Sequence, residues 1–215
     1  MRIILDTLGA DNGAAEAVLG ASMAAERDNI EILLVGHKDE LERIMKEKSI
    51  SDKRLSILDA TETVEMEDDP ANVIRTKKDS SMVKALNALK QDEGDGLVSA
   101  GNTGALLTGA TAIVGRIRGV RRGALAPIIP NRFGGTLLID CGANVECTPE
   151  YLLQFAVMGS AYMERTREIK NPKVALLNNG TEETKGTQLY RDAYVLLKEA
   201  HEAGSINFVG NIEGR

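Results

Sequence analysis

The chain has 215 residues, 43% hydrophobic and 27% charged, the make-up of a globular protein able to bury a real core. Aromatics make up only 3%, with no Trp, and the formal net charge is −6. A nucleic-acid reader of the stacking type or with a broad phosphate-backbone footprint is therefore not expected. No run of about 20 apolar residues reads as a membrane span, and no apolar segment after Met1-Arg2 reads as a signal peptide. Cys141 and Cys147 form no CxxC pair and read as free thiols of a reducing compartment. His37 and His201 are the only histidines, so His-based nucleophilic catalysis has little to build on.

In chain order, strands are expected at Arg2–Leu8, Ile30–Val35, Leu55–Leu58, Leu97–Ser99, Thr136–Asp140, Val174–Leu177 and Ile206–Val209. Helices are expected at Ala14–Glu26, Lys38–Lys48, Ser81–Gln91, Ala105–Val114, Pro149–Thr166 and Thr187–Ala203. This alternation predicts an α/β fold, a mostly parallel sheet with helices on both faces. No repeat, low-complexity tract or long linker interrupts it, so one α/β domain is expected over 1–215. Ligands of such sheets bind beyond the carboxyl ends of the strands, and polar residues there are the ones to weigh.

The first strand ends in Asp6-Thr7-Leu8-Gly9-Ala10-Asp11. Asp6 is a candidate for a polar site mouth, whereas Asp11 or Asn12 suits a helix cap. Residues 66–82 pass from an acidic run through Pro70 to Arg75, Lys77 and Lys78, with Asp79 or Ser80 as the next cap. Cations beside a helix N-terminus suit a phosphate; a solvated charged face is the alternative. At Ser99-Ala100-Gly101-Asn102-Thr103-Gly104 an apolar strand turns into a small-residue helix. This corner either cradles an anion or contains glycines that only solve a steric problem; its spacing matches neither a Walker loop nor GxGxxG. Arg116, Arg118, Arg121 and Arg122 form a basic cluster in an acidic chain, suited to an acidic partner, an anionic substrate or simple solvation. Two more strands end in Asp140-Cys141-Gly142-Ala143-Asn144 and Asn178-Asn179-Gly180-Thr181, the latter followed by Glu182, Glu183 and Lys185. Together the strand ends predict one polar cleft along the sheet's carboxyl edge.

These segments, with Asp68-Asp69-Pro70, Ile113-Val114-Gly115-Arg116-Ile117, Ala124-Leu125-Ala126-Pro127, Gly180-Thr181-Glu182-Glu183-Thr184-Lys185-Gly186 and Asn207–Arg215, occur in an order that resembles the PlsX family. That family comprises the phosphate acyltransferases of bacterial phospholipid synthesis. The resemblance implies a fold like the isocitrate/isopropylmalate dehydrogenases and phosphotransacetylases, and a homodimer. It implies transfer of a fatty acyl group from acyl-acyl carrier protein to inorganic phosphate, with no cofactor and no metal. It further implies a cytoplasmic location, peripheral association with the inner face of the cytoplasmic membrane, and a glycerol-phosphate acyltransferase as consumer of the product. Family members continue beyond Glu-Gly-Arg, so the catalytic domain is expected to be incomplete at the C-terminus, with further strands and an apolar helical hairpin outside these residues. The sequence departs from the family at Ala10, where a second glycine is usual, and lacks the proline that follows.

For that reaction Lys185 is expected to be the main cation, with Asn102, Asn144 and Asn178 completing the catalytic set. Ser99, Gly101, Thr103 and Gly104 are expected to cradle phosphate. Arg75, Lys78 and Thr181 are further anion contacts, while Asp6 and Asp140 orient the cations. The Arg116–Arg122 cluster is expected to dock the acidic carrier protein. The alternatives are a phosphotransacetylase acting on acyl-coenzyme A, a nicotinamide-linked hydroxyacid dehydrogenase whose metal-binding carboxylates cannot be assembled here, and a diverged, non-catalytic dimeric phosphate-binding scaffold.

Overall fold

The computed structural model describes residues 1–214; Arg215, the last residue of the Glu-Gly-Arg motif, lies outside the described residues. Packing groups the chain into two compact units, Met1–Gly115 and the residues from Arg116 onward, where the sequence reads as one domain.

The first unit is built on a four-stranded, all-parallel sheet in the order β3 (Leu55–Asp59), β2 (Glu31–Gly36), β1 (Arg2–Asp6), β4 (Gly96–Val98). The residues of β2 alternate between two covered faces. Ile32 and Leu34 meet Val18, Ala21 and Ala25 of α1 (Gly13–Asp28) and Leu41 and Ile44 of α2 (Lys38–Glu47). Leu33 and Val35 meet Ala85 and Ala88 of α4 (Ser81–Lys90) on the other face. Each such buried aliphatic side chain contributes about 1.5–3 kcal/mol relative to exposure. The parallel sheet covered on both faces matches the expected architecture.

Two features differ from the pattern read in the sequence. A short helix, α3 (Pro70–Thr76), occupies the stretch read as a charged break. Asp69 caps it by accepting from the Ala71 N–H at 2.9 Å, and Pro70 takes the first position, where no N–H is needed. The expected helix Ala105–Val114 is α5 (Thr103–Gly109) followed by a π-helical segment, Ala110–Val114.

In the second unit, the expected strand Thr136–Asp140 contracts to β6 (Thr136–Leu137), antiparallel to β5 (Ile128–Ile129). Pro127 and Pro130 flank β5 and offer no N–H, so beyond the ladder the pairing is one-sided, with the Leu138 N–H donating to the Pro127 carbonyl at 3.0 Å. Helix α6 (Pro149–Arg167) begins at a Thr148 cap with Pro149 in the first position. Strands β7 (Lys173–Leu177) and β8 (Asn207–Ile212) form a separate parallel pair, packed through Leu176 and Phe208 on Ala193 and Leu197 of α7 (Gln188–Glu202). The polar strand ends therefore belong to different sheets. The expectation of one cleft along one sheet edge is corrected accordingly.

Candidate functional site

In the first unit, β1 delivers Asp6 into a buried polar cluster. The carboxyl is 3% exposed; Oδ2 accepts from Ser99 Oγ at 2.8 Å and Oδ1 from the Leu8 N–H at 3.3 Å. Burial pushes this carboxyl above its ordinary 3.8, and the Ser81, Ser99 and Leu8 donors only partly offset that. Ser99 Oγ also accepts from the Gly101 N–H at 3.2 Å, so the acid and the Gly101 turn form one connected unit. Ala10 has no positive φ, and its methyl therefore imposes no left-handed strain on this turn.

Asn102 is 7% exposed and fully engaged. Its Oδ1 caps α5 by accepting from the Ala105 N–H at 2.9 Å. Its Nδ2 donates to the carbonyls of Glu65 (3.2 Å), Met66 (3.0 Å) and Asp68 (3.3 Å). The side chain thus clamps a distant loop, with both Nδ2 protons already spent on its carbonyls. A Cβ on Gly104 would come within 2.8 Å of Pro70 Cγ, so close packing of α5 on α3 accounts for that glycine. Thr103 stays exposed at the start of α5. Arg75 is exposed and donates to Asn72 Oδ1 at 3.4 Å, and Lys78 is exposed. Lys77, its neighbour, is tied to Asp68 at 2.5 Å and to the Thr63 carbonyl at 2.9 Å.

The second unit holds an open groove of about 1550 Å³, above the ~300–1,000 Å³ of ordinary small-molecule clefts. Leu137, Ile139, Phe155, Leu176, Val209 and Ile212 form much of its apolar wall, and Asp140, Asn144 and Asn178 are polar groups on it. Asp140 organises one lip. Its Oδ1 accepts from the N–H groups of Leu125 (2.8 Å) and Ala143 (3.2 Å), and its Oδ2 from Asn144 N (2.7 Å) and Asn144 Nδ2 (3.2 Å). Burial alone would raise this carboxyl, but the Leu125, Asn144 and Ala143 donors outweigh it and hold the group below the usual carboxylate range. Asn144 Nδ2 also donates to the Gly123 carbonyl at 2.9 Å.

Asn178 forms another polar point of the groove. Its N–H pairs with the Ile212 carbonyl at 2.8 Å, and its Nδ2 donates to the Lys185 carbonyl at 3.2 Å. Lys185 lies one residue from Gly186, which lines the groove. Its ammonium stands 3.8 Å from Glu182 Oε2, and both side chains are about half exposed or more (47% and 63%). Such a loose, wet pair holds the lysine weakly and leaves it available to an anion. Thr181 is exposed on the same loop.

Sequence reasoning did not single out Cys147 for this groove, where burial first, and then the Asp140 carboxylate, push its thiol up, with Arg122 opposing. Nor did it find Gln154. From α6, Gln154 accepts from the Arg121 N–H at 3.0 Å and donates to the Gly119 carbonyl at 3.1 Å, pinning the basic loop. In that loop the Arg116 side chain donates to the Arg121 carbonyl, and the Arg122 guanidinium lies 5.9 Å from the Tyr151 ring centroid. Arg116, Arg118, Arg121 and Arg122 are all exposed. Among the described residues, no group of three or more His, Cys, Asp or Glu is placed to hold a metal ion.

Comparison with known proteins places these features in a family. The family described as "Fatty acid synthesis protein" matches over residues 1–215. A phosphate acyltransferase of Thermoanaerobacterium thermosaccharolyticum is 46% identical over 215 residues, covering 100% of this chain and 62% of the relative. One of Heliobacterium modesticaldum is 48% identical over 216 residues, covering 100% and 63%. The chain thus spans somewhat under two thirds of the length of the curated relatives it matches. In fold it is similar to the EutD phosphotransacetylase of Staphylococcus aureus (TM-score 0.72, 18% identity, 99% of this chain and 68% of that one). A phosphotransacetylase of Streptococcus pyogenes gives a TM-score of 0.71 at 18% identity, with 99% and 68% covered.

Proposed function

The chain belongs to this fatty acid synthesis protein family, the PlsX family, and on that premise we propose that it carries out phosphate acyltransfer. A fatty acyl group passes from acyl-acyl carrier protein to inorganic phosphate, giving acyl phosphate for phospholipid synthesis. The observation that carries this reading is the groove of the second unit, an apolar wall meeting Asn144, Asn178 and the Lys185 turn.

The chemistry asks for position and charge more than for an acid–base residue. Phosphate is largely dianionic near neutral pH and attacks the thioester carbon itself. A C–O bond forms, the C–S bond breaks, and the sulfur leaves as thiolate, its thiol pKa being about 8.5. The thiolate takes its proton from solvent. The apolar wall suits a fatty acyl chain. Lys185 is the main cation at the phosphate or the developing oxyanion, and the Asn178 carboxamide, with one Nδ2 proton unspent, orients the thioester, while Asn144, its two Nδ2 protons given to Gly123 and Asp140, shapes the lip beside it. Asp140, held ionised by its donors, fixes Asn144. The pinned Arg116–Arg122 loop docks the acidic carrier protein. The homodimer, the cytoplasmic location with peripheral membrane attachment, and a glycerol-phosphate acyltransferase as consumer of the product complete the reading. Among the described residues no helix is long and apolar enough to cross a membrane.

The test is phosphate-dependent release of free thiol from a long-chain acyl-acyl carrier protein, with hydroxylamine trapping of acyl phosphate and acetyl-coenzyme A in parallel. The protein at its full natural length should turn over the carrier substrate. Turnover of acetyl-coenzyme A alone would replace this reading with a phosphotransacetylase. Lys185→Ala should lower the rate by roughly 10²-fold, the scale of one lost oxyanion donor. Near-normal turnover in that variant would remove Lys185 from the mechanism.

A further inference from the structure

Strand β8 contains a glycine where a regular strand needs none. Gly210 has φ +96°, and the pairing with β7 shifts there, from Val174↔Phe208 to Leu176↔Asn211. One residue of β7 thus opposes two of β8, which is a β-bulge. Its consequence is the direction of Asn211. Side chains alternate along a strand, so in an unbroken ladder residues 208 and 211 would face opposite ways. With the extra residue they share a face: Phe208 and Asn211 are both buried, while Val209 and Ile212 line the groove on the other side.

Asn211 is 7% exposed, and its Nδ2 donates to the Glu182 carbonyl at 2.8 Å. That carbonyl also accepts from the Lys185 N–H at 3.1 Å, closing the turn from which Lys185 projects. The Oδ1 of Asn211 is buried and has no hydrogen-bond partner among the described residues. An apolar side chain would avoid leaving a buried acceptor unpaired. An asparagine here is thus not explained by packing, whereas its donor to Glu182 is used.

We propose that Asn211, aimed by the bulge at Gly210, is the positioning residue of the Glu182–Lys185 turn and sets the Lys185 ammonium for phosphate. It touches no substrate and acts through the Glu182 carbonyl. The inference rests on the reading of Lys185 as the cation of the acyl transfer.

The test is a double-mutant cycle in the full-length protein. Asn211→Leu keeps the size but removes the donor; Asn211→Ala takes its place if that chain does not fold. The expected result is a roughly tenfold rise in the KM for phosphate with the KM for acyl-carrier substrate unchanged. Amide exchange at Lys185 should become faster. Combined with Lys185→Ala, the Asn211 change should cost nothing further, since both act through one ammonium. Multiplying losses would assign Asn211 a general structural role and overturn the proposal, as would an unchanged phosphate KM in the single variant. If Lys185→Ala alone keeps its rate, the catalytic reading has failed and the inference falls with it. If only the Asn211 variants are silent, the inference alone has failed.

Discussion

Asn102 offers the sharpest separation of a structural from a catalytic role. Asn102→Ala removes the cap on the Ala105 N–H, a loss of about 1 kcal/mol. It also removes the donor shared by the Glu65, Met66 and Asp68 carbonyls. Glu65 and Met66 are exposed residues, so water can replace part of what is lost, and one net hydrogen bond of about 1 kcal/mol is the fair count. The sum is about 2 kcal/mol, which for a chain of 215 residues lowers Tm by roughly 4–8 °C. Asn102→Ser keeps a capping oxygen but cannot reach the three carbonyls, and should recover about half of the loss. Thermal unfolding followed by far-UV circular dichroism, together with the phosphate KM of each variant, decides the matter. Unchanged melting with a large rise in phosphate KM would refute the clamp and restore Asn102 to the anion site. Equal losses for Ala and Ser would refute the division between cap and clamp.

Asp6→Asn should raise Tm at pH 7–8. Burial lifts the Asp6 carboxyl above 3.8, so the native state binds its proton to higher pH than the unfolded chain. Stability therefore falls as pH rises from about 3.8 through the folded value, and the advantage of the variant should vanish on acidification; a difference independent of pH would contradict this. Gln154→Ala should free the basic loop, read as faster trypsin cleavage within residues 116–122 at unchanged Tm, because both of its bonds to the loop are lost. Cys147→Ser should leave acyl transfer within about threefold of the parent, since a thiol pushed up by burial is a poor nucleophile; loss of activity together with a trapped thioester would point to a covalent route.

The first unit was readable because its strands are short apolar runs, each bounded by a turn, and its helices carry one apolar face. The strand β2 shows this well: every residue from Ile32 to Gly36 is buried, as a strand covered on both sides requires. Helix α3 was hidden by its length. Seven residues give too little periodicity, and the Asp69 cap with Pro70 at the first position was the available signal. The strand read at Thr136–Asp140 was overcalled, because apolar content does not show whether a partner can supply donors. The clamp by Asn102 was illegible for a different reason. A polar residue after a strand looks the same whether it meets a ligand or three carbonyls from a remote loop. Asn211 was missed because the last strand was read as ending at Val209, whereas β8 runs on through Gly210 to Ile212, and a glycine inside a strand marks a bulge.

Asp6 and Asp140 show how far a shared motif can mislead. Each ends an apolar run and precedes a glycine turn, and the sequence treats them alike. Their surroundings send them in opposite directions. Asp6 is buried with two side-chain hydroxyls and one N–H, too few to offset desolvation, so it holds its proton more tightly. Asp140 is less buried and collects donors from Leu125, Ala143 and Asn144, so it stays ionised. The Leu125 N–H comes from fifteen positions upstream, brought in by the fold rather than by the motif. An anionic Asp140 would repel phosphate if it faced the anion directly. Spending its lone pairs on the lip of the groove makes it an anchor for Asn144 instead, and that is the role the chemistry of the groove can use.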